Sequence, residues 1–92
     1  MKLSRWQTFP RREQLLHVGV AILRAANGQK MNNCDVYKSS LEEAIQLAQL
    51  SAGDQKWQDE IFKPQILWLL NELEKFKRGE RTDDIGILYR TL

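Results

Sequence analysis

Between Trp57 and Lys77, apolar residues recur at Phe62, Ile66, Leu69, Leu73 and Phe76, in steps of four, three, four and three. That is the spacing of one face of an α-helix. Trp57, Ile61 and Trp68 form a second stripe, at plus four and plus seven, more than a quarter-turn from the first. A helix that is apolar on two faces needs partners on two sides, so the pattern predicts a helix over 55–78 as the central element of the fold. Asp54 reads as its N-cap and Gly79 as its stop. Lys75, Lys77 and Arg78 fall in the last turn, where cations suit the helix dipole. Pro64 lies inside the pattern and predicts either a kink or a split into an entry turn and a main helix starting near Lys63.

A first long helix is predicted over about 10–26. Thr8 reads as its cap, Pro10 suits its first turn, and Phe9 is placed to fold back as a hydrophobic staple. Its stripe is Leu15, Val18, Ile22 and Ala25 or Ala26, widened by Leu16, Val20 and Leu23. Gly19 lowers helix stability by ~1 kcal/mol relative to Ala, which suggests a close approach by another element. Asn27-Gly28 reads as the end of this helix. Residues 29–33 are polar and read as a loop.

The second helix has two possible starts. Ser40-Leu41-Glu42-Glu43 has the form of a capping box. An apolar stripe through Cys34, Tyr37, Leu41, Ala44 or Ile45, and Ala48 argues instead for an earlier start under an Asn32 or Asn33 cap. Because the stripe runs through the box, the longer helix, about 34–51, is favoured, with Ser51-Ala52-Gly53 as its end. In the tail, Ile85, Leu88, Tyr89 and Leu92 share one side of a short helix over 83–91 that Thr82 could cap. Gly86 leaves an irregular packed segment as the alternative. The fold class that follows is all-α: an antiparallel three-helix bundle with a short C-terminal helical or irregular element, in one domain over 1–92.

With 92 residues the chain suits a single domain with a core of modest size. The net charge of +2 implies neither a nucleic-acid nor a membrane partner. Its distribution says more. Residues 1–38 carry seven bases against two acids, whereas residues 39–62 carry one base against five acids. Opposite charge on successive segments fits packing within the chain or pairing between chains. Cys34 is the single cysteine, so no internal disulfide can form, and one free thiol suits a reducing cytoplasm. The first residues have charge but no apolar run behind it, so no secretory leader is expected. The apolar run Leu15–Ala26 contains His17 and Arg24 and is too short to span a bilayer.

Little in the sequence points to catalysis. Glu13 and His17 have the spacing of a shared metal ligand pair, but His17 is the only histidine and the ligand count is insufficient. Cys34 has Asp35 beside it, which disfavours a reactive thiolate. Asp59-Glu60 and Asp83-Asp84 read as helix-start charges. No phosphate-binding or serine-hydrolase motif occurs. The expectation is a non-enzymatic protein with no catalytic residue, cofactor or metal. Lys2, Arg5, Arg11 and Arg12 bracket Trp6 and Phe9, an interleaving of bases and aromatics that could contact nucleic acid or another partner. Arg11 and Arg12 also stand in a first helical turn, where each cation costs ~0.3–1 kcal/mol. A compensating acid is therefore expected, with Asp83 and Asp84 as the candidates in this chain.

Arg5-Trp6, Phe9-Pro10, Gln14-Leu15-Leu16 and Arg24-Ala25, followed by the Leu41-Glu42-Glu43-Ala44 helix, resemble small uncharacterised bacterial helical proteins. That resemblance implies a helical fold and a bacterial cytoplasm, and no activity. The first two helices and their turn also resemble one tetratricopeptide-type hairpin, although no second repeat is present to cover it. The function expected is a helical protein–protein interaction module that self-associates into a homodimer or larger assembly through Trp57, Ile61 and Trp68, or docks on a larger protein partner. The alternative is a nucleic-acid-binding accessory protein using the leader at Lys2, Arg5, Trp6, Arg11 and Arg12.

Overall fold

The computed structural model describes residues 3–92, and of these the side chains from Arg5 onward. The element order is α1 (Leu3–Trp6), α2 (Arg11–Lys30), α3 (Cys34–Ala52), a 3-10 turn (Gln55–Trp57), α4 (Phe62–Lys77) and α5 (Gly86–Arg90). The fold is all-helical, with three main helices packed together and no strand among the described residues. None of these helices is long and apolar enough to cross a membrane.

Two of the expected boundary signals, Asn33 and Gly79, act where the sequence places them. α3 starts at Cys34 under an Asn33 cap, whose Oδ1 accepts the Val36 N–H at 3.2 Å. The Ser40 box therefore lies inside the helix, and Ser40 itself is buried. α4 ends at Gly79, which takes φ +77°. Glu80 N donates to Lys75 O and Gly79 N to Phe76 O, the paired bonds of a Schellman stop.

Other expectations need correction. α2 runs past Asn27-Gly28 to Lys30. The left-handed residue that turns the chain is Asn32, at φ 54°. Gly28 serves a different purpose: it is buried, and a Cβ there would lie 2.7 Å from the Tyr37 backbone nitrogen. It is a point of close approach between α3 and α2. Thr8 does not cap α2. Its hydroxyl donates to Arg5 O at 2.6 Å, and Pro10 occupies the cap position without a side-chain bond.

Of the two outcomes expected from Pro64 within 55–78, the split is the one found: an entry turn, then a main helix that starts at Phe62. Asp54 caps only the 3-10 turn, accepting the Lys56 N–H at 3.0 Å. Asp59 then caps α4, its Oδ1 accepting the N–H groups of Ile61 and Phe62 at 2.7 and 2.8 Å. Pro64 sits in the first turn of α4, where its missing N–H costs nothing. The break thus falls before Phe62 and parts Trp57 from Trp68. In the tail, the Gly86 N–H is taken by Asp84 Oδ1 at 2.9 Å and not by Thr82. Gln29 clasps the approach to α5 by donating to Asp83 O and accepting from Ile85 N.

The central helix is α3, not α4. It lies against α2 over most of its length and against α4 on its other side, while α2 and α4 hardly meet. The buried set on α3 runs from Leu47 round to Ile45, roughly 160° of circumference at ~100° per residue. The buried set on α4, Ile66, Leu69, Leu73 and Phe76, covers roughly half that arc. Ala44 and Ala48 are fully buried on α3, and their small size lets both neighbours come close. α5 packs along α2, and Tyr89 and Leu92 lie over Gly19.

Candidate interaction groove

α2 and α4 flank α3 without closing on each other, so a groove remains between them. Trp57, which lines it, is held by a buried polar cluster. Gln14 is fully buried on α2. Its Nε2 donates to Trp6 O at 3.0 Å, to Phe9 O at 3.1 Å and to Asp54 Oδ2 at 2.8 Å. Its Oε1 accepts the indole N–H of Trp57 at 2.6 Å. An indole can only donate, so the amide orientation is fixed by its partners. Trp6, also fully buried, donates from Nε1 to Ser51 Oγ at 3.1 Å. One side chain, Gln14, thereby ties α1, the start of α2 and the 3-10 turn together, and Trp6 joins them to the end of α3.

Asp54 is the buried acid of this cluster. Burial pushes its carboxyl up, but the Lys56 N–H, the Gln14 amide and the Lys56 ammonium together outweigh burial and hold it below the ordinary carboxylate range. Lys56 Nζ stands 3.3 Å from Asp54 Oδ2 and also donates to Gln7 O. Burial and the nearby Asp83 carboxylate raise the Tyr37 phenol, partly opposed by the Gln29 side chain.

Above the cluster, two adjoining hollows of about 420 and 610 Å³ share Leu15, Trp57 and Gln65. The first is apolar. Ile66, Trp68 and Leu69 of α4 form part of its lining, together with Thr91 and Leu92, which follow α5. The second is lined in part by Phe62 and carries Arg11, Arg12 and Lys56 with no carboxylate. The groove is therefore apolar at one end and cationic at the other.

The residues expected at an interface are distributed unevenly. Ile61, just ahead of α4, is 69% exposed, and Trp68, at the edge of the groove, is 45% exposed. Trp57 is 1% exposed and belongs to the core, because its indole N–H is spent on Gln14. Of the basic and aromatic leader, Lys2 lies outside the described residues. Arg5 is exposed. Trp6 is a core residue with no face left for stacking. Arg11 donates from Nη1 to Lys56 O at 2.7 Å and lies with Cζ 3.6 Å from the centre of the Phe62 ring. Arg12 is exposed and makes no hydrogen bond or ion pair among the described residues. The expected pairing of these arginines with the tail does not form. Asp83 is held by Arg81, at 2.6 Å, and Asp84 caps α5. His17 lies against the rings of Trp6 and Phe9, with centroids 5.7 and 5.2 Å away.

Sequence reasoning missed Gln14. The signal was present in the phase of α2: Gln14, Val18, Ala21 and Ala25 are one buried face, whereas Leu16, Val20 and Leu23 are exposed. The sequence matches no family model, no curated protein and no solved structure.

Proposed function

We propose that this chain is a non-enzymatic helical interaction module, an antiparallel three-helix bundle that self-associates through the side of α4 bearing Ile61 and Trp68. The observation that carries this reading is the open groove between α2 and α4. It is apolar along much of its length, with the Trp68 indole half in solvent at its edge. Contiguous exposed apolar surface of this kind marks interaction sites, and tryptophan is enriched among residues that dominate binding energy. The exposed stripe Leu16, Val20 and Leu23 on α2 adds to the apolar surface available.

Light scattering on the eluting peak of a sizing column tests the reading. A dimer or larger mass at tens of micromolar is expected, falling to the monomer in Trp68→Glu with helicity unchanged. A monomer mass for the wild type overturns it.

A further inference from the structure

Resting on the self-association reading, we infer that the occupant of the groove's cationic end is a second copy of this chain, which inserts Ile61 there and sets its Glu60 carboxylate on Arg12. Three observations lead to this occupant. The groove's charged lining is Arg11, Arg12 and Lys56; Lys56 pairs with Asp54 and Arg11 with a carbonyl and a ring, which leaves Arg12 as the open cation, so this end selects an apolar residue flanked by negative charge. Asp59-Glu60-Ile61 is such a segment, and Ile61 is 69% exposed. Asp59 Oδ1 holds the N–H groups of both Ile61 and Phe62, so the turn is presented already ordered and little conformational freedom is lost on docking.

The unspent charges match as well. Arg11 is occupied by Lys56 O and the Phe62 ring. Arg12 stands in the first turn of α2, where a cation is disfavoured, and has no partner among the described residues. Glu13 follows it directly, a spacing at which helical side chains do not face each other. Glu60 is exposed and likewise makes no hydrogen bond or ion pair among the described residues.

The geometry also closes. Ile61 immediately precedes Phe62, which lines the cationic end of the same groove. A two-fold axis near Phe62 brings each Ile61 to the other copy's groove and each Glu60 to the other copy's Arg12. Such a contact is isologous and ends at a dimer, with no open edge left to propagate.

Charge reversal tests the reciprocity, with sedimentation equilibrium as the readout and circular dichroism confirming unchanged helicity for these exposed sites. Arg12→Glu alone and Glu60→Arg alone should each weaken the homodimer by about tenfold or more, because like charges then meet at both contacts. Mixing those two variants should restore a dimer. The two introduced charges, of opposite sign, then face each other at one contact, and the native Arg12 and Glu60 face each other at the other. The double variant Arg12→Glu, Glu60→Arg should dimerise on its own, and Ile61→Ser should weaken association with all charges intact. If the wild type dimerises and these variants leave its affinity unchanged, the inference falls while self-association stands. If single variants weaken the dimer but the mixture fails to recover it, the reciprocal pairing is wrong. If the wild type is a monomer at tens of micromolar, both readings fall.

Discussion

Trp57 and Gln14 are 43 positions apart in the chain and joined by a 2.6 Å hydrogen bond from the indole nitrogen to the amide oxygen. Both are buried, and the same amide donates on its other side to Asp54 and to the carbonyls of Trp6 and Phe9. A buried donor or acceptor that loses its partner costs ~1–3 kcal/mol. Gln14 serves several at once, so its removal should be felt well beyond one bond. Gln14→Leu should destabilise the fold by ~3 kcal/mol or more, read from urea unfolding midpoints. Gln14→Glu should be worse at pH 7, because it sets a second carboxylate against Asp54 and two carbonyls. It should regain part of that loss as the pH falls toward about 5 and the new carboxyl takes a proton. A Gln14→Leu variant as stable as wild type would refute the keystone role.

Asp54 gives the acid side of the stability curve its sign. Its folded value lies below the ordinary 3.8, despite burial, because of the Lys56 N–H, the Gln14 amide and the Lys56 ammonium. A carboxyl lowered in the folded state contributes stability above its unfolded value, and that contribution is lost as the pH falls through the folded value. Unfolding free energy should therefore drop below about pH 4. Asp54→Asn should be less stable at neutral pH and should show a flatter acid limb. An unchanged slope in that variant would argue against this assignment.

Gly28 and Gly19 should answer oppositely to the same substitution. A methyl group at position 28 would meet the backbone of Tyr37 at 2.7 Å, and backbone on a packed helix cannot move aside cheaply. Gly28→Ala should cost ~1–3 kcal/mol. At position 19 the nearest atoms, at 3.1 to 3.3 Å, belong to the side chains of Tyr89 and Leu92, both partly exposed and able to shift. Gly19→Ala should be neutral or stabilising by up to ~1 kcal/mol through helix propensity. Chemical denaturation of the two variants side by side checks the contrast.

Leu69 and Trp68 are neighbours in sequence with different tasks. Leu69 is 2% exposed and Trp68 is 45% exposed. Leu69→Ala should lower stability by ~2–5 kcal/mol, through lost burial and the cavity left behind. Trp68→Ala should cost much less in the unfolding of a dilute sample, where association does not contribute. Equal losses at both positions would mean that Trp68 is held within its own chain.

What the chain spells out locally is what its sequence alone determined. The 3.6-residue spacing of Ile66, Leu69, Leu73 and Phe76 marks their shared buried face. Asn33 starts α3 and Gly79 stops α4 because caps act on their immediate neighbours. Ile61 and Trp68, seven positions apart, are legible as apolar residues of one stripe for the same reason. The tertiary structure decided the rest. Trp57 has the periodicity of that stripe, but a polar partner 43 positions away draws it into the core and a cap at Asp59 restarts the helix behind it. Gly28 reads as a terminator by composition, yet it lies within α2, where the Tyr37 backbone leaves no room for a side chain. Arg11 finds a carbonyl and a ring in place of an acid. The outcomes at Trp57 and Arg11 hang on contacts between segments more than forty positions apart. Such contacts leave no periodic trace, because their energy appears only when the helices are already packed.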